Sequence, residues 1–197
     1  MVASLTSHVK PMIAAYAASV NGTFSNETGT HLDSHANMPV IGNEAFVFAP
    51  TGKTVKVRSW DPASPSREAP IVDAAIAYDC PYSLKTYILI IKNAIQNNAM
   101  NHNLIPPFIM REAGVEVNDA AKVHSSSPQL EDHSLYFGDG KLRIHLKLKG
   151  IFRYFDSRCP TADELEEALE NSDDILYITP NIDDWDPYAD HWEQMEE

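Results

Sequence analysis

The chain has 197 residues, 44% of them hydrophobic and 22% charged, and a formal net charge of -13. This balance excludes a chain disordered throughout and supplies enough apolar mass for one buried core, while the acidic excess opposes phosphate backbones and makes nucleic acid an unexpected partner. No window reaches the length of a membrane span, the first residues lack a basic stretch followed by an apolar one, and Cys80 and Cys159 are too few for a disulfide framework. A cytoplasmic, intracellular protein with reduced thiols, no membrane partner and no cofactor is the expectation.

Val2, Leu5, Val9, Ile13, Tyr16 and Val20 recur at three- and four-residue steps, which predicts an amphipathic helix. The polar run from Thr23 to Thr30 then reads as a linker, so residues 1–28 form an appendage and a β domain over 29–158 follows. Leu32-Asp33 ends a short strand. Phe46, Phe48, Val55 and Val57 alternate about the turn Thr51-Gly52-Lys53, which predicts a hairpin. Trp60-Asp61-Pro62 opens a loop rich in turn formers, and the runs Ile71–Tyr78 and Thr86–Ile91 are β-branched and aromatic, the second apolar enough for burial on both faces.

Pro107 is placed to start a short helix that Gly114 ends, and Val115–Val117 resumes extended structure. Leu135–Phe137, the turn Gly138-Asp139-Gly140, and the alternating Lys141–Lys149 predict two strands, with Ile151–Phe155 continuing after Gly150. The basic face of Lys141–Lys149 reads as a solvated or edge-strand face. Thr161 and Glu164 have capping-box spacing ahead of a helix reaching about Asn171, and residues 159–197 read as a capped helix followed by a flexible, acidic tail containing Trp185 and Trp192.

The chemistry concentrates at Asp33-Ser34-His35-Ala36-Asn37. A carboxylate in a tight turn after a strand can be aimed into a cleft, but peptide hydrolysis by carboxylates needs one ionised group to deprotonate water and one protonated group to donate to the carbonyl. The chain offers one such loop, so the second aspartate would come from an identical subunit across a twofold axis. Two close carboxyls share a proton, which places activity on the acidic side of neutrality.

An apolar residue, then Asp33-Ser34, one residue, Ala36-Asn37 and Val40-Ile41-Gly42 resembles the D-[ST]-G-A motif of retroviral and retrotransposon aspartic proteases. The later order is similar too: Thr54–Pro65 as flap, Ile71–Tyr78 and Thr86–Ile95 as strands, then Leu104-Ile105-Pro106-Pro107 leading into a helix. Pro70-Ile71-Val72-Asp73-Ala74-Ala75 and Asn103-Leu104-Ile105-Pro106-Pro107-Phe108 look like polyproteins of copia-like retrotransposons.

The resemblance implies a mostly β fold: a retropepsin-like closed barrel protomer with one short core helix. It also implies a homodimer that cuts extended peptide or polyprotein substrates. Asp33 would be catalytic, with Ser34, His35 and Ala36 supporting its loop and Asn37, Ser59 and Trp60 against substrate. His35 and Pro106 stand where the family has glycine.

Two other readings fit: a non-catalytic protein-interaction domain keeping this fold, and a metal-dependent hydrolase in which His31, Asp33 and His35 face one way along a strand as ligands do.

Overall fold

The computed structural model describes residues 29–58, 63, 65–138 and 140–195. The helix expected over Val2–Val20 lies outside them, as do Ser59 and Trp60. The fold is mostly β, built on a large sheet with the strands β1 (Gly29–Leu32), β2 (Val40–Ile41), β3 (Phe46–Val57), β4 (Arg67–Asp79), β5 (Thr86–Gln96) and β6 (Asn103–Ile105). Helix α1 (Pro107–Glu112) and strands β7 (Val115–Asn118), β8 (Ser134–Phe137), β9 (Leu142–His145), β10 (Lys147–Lys149) and β11 (Phe152–Asp156) follow. Then come α2 (Ala162–Glu170), β12 (Ile175–Tyr177) and α3 (His191–Gln194).

The large sheet has nine strands in the order β10-β11-β1-β6-β2-β5-β4-β3, with β12 also paired to β5, and β7-β8-β9 form a second sheet. The expected closed barrel is therefore corrected. Among the described residues the strand order does not return on itself, since β10 pairs only β11 and β3 pairs only β4.

The part of β4 from Val72 onward and most of β5 are buried on both faces, which is why β5 carries the apolar run Tyr87-Ile88-Leu89-Ile90-Ile91. One face, with Ala74, Ile76, Leu89 and Ile91, packs against Val115, Leu135, Phe137 and Ile144 of the small sheet. The other, with Ala75, Ala77, Ile88 and Ile90, is covered by Phe46, Phe48 and by Leu165 and Ala168 of α2. Thr161 caps α2 in the reciprocal geometry its spacing predicts: its side chain accepts from the Glu164 N–H, and the Glu164 carboxylate accepts from the Thr161 N–H. Gly114, at φ +81°, takes the left-handed turn that ends α1.

Three further expectations change. Residues 46–57 are one strand and not a hairpin: β3 pairs along β4, and the Thr51-Gly52-Lys53 segment is an irregularity between Pro50 and Thr54 in that pairing. The hairpin is β3–β4, and its outer part, Thr54 to Val57 against Arg67 to Pro70, forms a two-stranded arm. Lys141–Lys149 splits at Leu146, whose N–H is bonded to the His133 carbonyl, so β9 joins the small sheet and β10 the edge of the large one. Leu142, Ile144 and Leu146 keep their inward alternation, whereas Leu148 is exposed.

The tail is the third change. Instead of a free terminus, β12 adds to β5 in parallel, and Trp185 is buried with Met38 and Ile109. Where β4 and β5 pair, Lys92 and Asn93 together face the single residue Asp73, a bulge closed by Lys92 Nζ to Asp73 Oδ2 at 3.0 Å and Asn93 N–H to Asp73 Oδ1 at 3.0 Å. The same bulge holds the tail: the Lys92 N–H donates to Thr179 Oγ1, and Asn93 Nδ2 donates to the Ile182 carbonyl.

Candidate active site

Strands β1 and β6 run parallel with Leu32 opposite Ile105, so the Asp33 loop and the start of α1 leave the sheet side by side. The Asp33 N–H donates to the Ile105 carbonyl at 3.2 Å, extending the ladder by one bond into the loop. The chain then turns sharply, because Asp33 Oδ1 accepts the His35 N–H at 3.0 Å, an Asx turn that fixes the carboxylate while leaving Oδ2 for other partners. Asp33 is partly exposed. It lines a cleft of about 620 Å³ together with His31, Leu104, His102, Lys149 and Phe152.

Behind the loop lies a buried polar network. Asn103, only 1% exposed, accepts the Gly42 N–H on Oδ1 at 3.0 Å and donates from Nδ2 to Thr30 Oγ1 at 3.3 Å. Thr30 Oγ1 lies 2.8 Å from Ser157 Oγ. This network ties β1 and β6 to the residues that follow β2 and β11, three positions before Asp33 on β1. Gly42 is required by close approach: a Cβ there would sit 2.6 Å from the Met100 carbonyl oxygen and 2.7 Å from that of His102. Asn103, Thr30 and Ser157 were missed in the sequence reading. The available signal was a polar side chain opening the short apolar segment Asn103-Leu104-Ile105.

The residues predicted for the site are partly brought together. Ser34 is exposed, and its Oγ lies 3.3 Å from His35 Nδ1. Ala36 is half-buried, and Asn37, exposed, holds the C-terminal tail: its carbonyl accepts from Trp185 Nε1 at 3.0 Å and its Nδ2 donates to Tyr188 Oη at 2.9 Å. Trp185 stacks near Trp192 and Phe108, and Trp192 Nε1 donates to the Asp186 carbonyl, folding the tail over α1.

His31, Asp33 and His35 do not converge as ligands. The His31 ring lies between His102, at 4.9 Å, and Tyr154, at 5.5 Å, whereas His35 turns to Ser34. Among the described residues no group of three or more metal-ligating side chains comes together. Burial holds the His31 imidazole below its ordinary pKa, helped by the nearby His102 and Lys149.

No family model, curated protein or solved structure matches the chain. The functional reading therefore stands on the geometry of the Asp33 loop and on the motif. Among the described residues no helix is long and apolar enough to cross a membrane, and Cys80 and Cys159 are both buried and form no disulfide.

Proposed function

We propose that the chain is a retropepsin-like aspartic endopeptidase that works as a homodimer, with Asp33 of each copy forming the catalytic pair. The observation that carries this reading is the Asx-turn-held, partly exposed carboxylate of Asp33 at the end of β1, braced by the parallel strand β6 and backed by the buried Asn103 network. Such a turn presents a carboxylate in one orientation without spending its second oxygen, as a shared-proton pair requires. The ionised member takes a proton from water, the water oxygen attacks the scissile carbonyl, and the protonated member donates to the carbonyl oxygen. Collapse of the resulting diol, with a proton delivered to the amide nitrogen, breaks the C–N bond.

Substrate would lie extended between the Asp33 loop and the β3–β4 arm, with Asn37 contributing backbone bonds and with Ser59 and Trp60 in the contacting role that the family resemblance implies. A junction in the protein's own polyprotein is the kind of peptide the family resemblance implies. The expected result is cleavage of a mixed peptide library between about pH 4 and 7 that is blocked by pepstatin, unaffected by chelator and lost in Asp33→Asn. Cleavage that survives Asp33→Asn overturns the assignment.

One observation favours a non-catalytic interaction domain instead. The Ser34 hydroxyl lies against its own neighbour His35, which competes with the hydrogen bond across the dimer that the family resemblance implies for it. A dimeric protein that cuts no peptide would select that reading.

A further inference from the structure

The acidic tail and the groove it enters are chemically matched. The groove runs between Asn37–Met38 and the outer part of β3, and about 620 Å³ of it stays open beside Trp185, Pro187 and Tyr188. Its wall on the arm carries Lys56 and Arg58, and Lys53 pairs with Asp184 at 3.0 Å. The tail sequence there, Asp183-Asp184-Trp185-Asp186-Pro187-Tyr188, sets carboxylates on either side of an indole. The indole is 8% exposed and donates to a backbone carbonyl of the groove, and the tyrosine hydroxyl accepts from the Asn37 side chain. Burial of an aromatic anchor, a backbone bond and opposite charges at the rim is how a groove holds an extended peptide. The β4–β5 bulge, bonded to Thr179 and Ile182, delivers the segment to this place.

We propose that this groove is a binding site for acidic, aromatic peptide segments, and that residues 183–188 of the chain occupy part of it as an intramolecular ligand. The inference rests on the protease reading in one respect, since the groove includes Asn37, which that reading sets against substrate. Because the tail is tethered, it competes at an effective concentration on the order of millimolar. A peptide in trans gains full access only when the tail is displaced.

The test measures binding, not cleavage, by fluorescence anisotropy of a labelled peptide spanning residues 181–195, with every protein carrying Asp33→Asn. The full-length chain is compared with two tail variants: Asp184→Lys, at a side chain 76% exposed and so harmless to the core, and Trp185→Ala. Apparent affinity for the free peptide should rise about tenfold or more in Trp185→Ala and by a smaller factor in Asp184→Lys. Adding Lys53→Glu to either variant should lower it again, and a peptide lacking the indole should not bind. Equal affinity in the unmodified and both released proteins, or no binding to either released protein, overturns the proposal. Binding as expected, together with no cleavage of the peptide library by the protein that keeps Asp33, would remove the protease reading and leave the binding site standing. Library cleavage by the protein that keeps Asp33, without this pattern of binding, would remove only the binding site.

Discussion

Replacement of Asn103 by alanine removes a side chain that joins β1, the strand leading into the Asp33 loop, to the residue after β2 by two buried hydrogen bonds. Thr30 Oγ1 keeps Ser157 as a partner at 2.8 Å, so the loss on that side is a single net hydrogen bond, worth about 1 kcal/mol. On the other side the Gly42 N–H loses Asn103 Oδ1 at a buried position, and an orphaned buried donor costs about 1–3 kcal/mol. The sum is roughly 2–4 kcal/mol, a large fraction of a typical domain's stability. Urea unfolding of Asn103→Ala beside the unmodified protein, at a pH near neutrality and with the slope checked for two-state behaviour, measures it. Thr30→Val tests the same network from its other end: it leaves Gly42 satisfied but takes the partner from both Asn103 Nδ2 and Ser157 Oγ, which are buried, so it should cost a comparable amount. A loss below about 0.5 kcal/mol for either variant would refute the account of the network.

Gly42→Ala should destabilise by about 1–3 kcal/mol in the same assay, since the added methyl meets two backbone carbonyls and no flexible side chain can give way. Acidification should weaken the fold in two stages read by thermal unfolding against pH. Burial holds His31, His133 and His145 below the ordinary imidazole value, so the unfolded chain takes up their protons first and stability falls as the pH drops below about 6.5. Hydrogen bonds from Arg158 hold the Asp79 and Glu164 carboxyls low, so their contribution, present above about pH 4, is lost as the pH falls through their lowered values. Burial raises Glu44, which opposes this trend in the carboxylate range, and a melting temperature that rises steadily from pH 7 to pH 3 would contradict the balance.

The elements that the sequence made legible are those whose signal is local. The capping box at Thr161 and Glu164, the proline-started helix ended by Gly114, and the doubly buried β5 are each decided by residues within one element, and all three are present. The expectations that failed depend on what lies opposite. Thr51-Gly52-Lys53 has turn chemistry, yet β4 offers a continuous partner on both sides of it, and the pairing with β4 overrides the local preference. Lys141–Lys149 alternates without a break, but alternation says which face is buried and not which sheet buries it, and the bond from Leu146 to His133 divides the segment between two sheets.

The same distinction separates the parts of the site. The turn at Asp33 was readable because a strand end, a turn former and small residues sit next to one another in sequence, and the Asx turn to His35 needs nothing from elsewhere. The contacts around that loop come from far along the chain: Asn103 reaches Thr30, on the strand before it, across 73 positions, and Trp185 reaches Asn37 across 148. A tail dense in carboxylates reads as solvated because composition weighs each charge against water. Its docking depends instead on the indole and phenol between those charges, and on a bulge at Lys92 and Asn93 that exists only once β4 and β5 have paired. The carboxylates stay largely in solvent, as composition requires, while the aromatic residues between them are carried against the Asp33 loop by the strand pairing that precedes them.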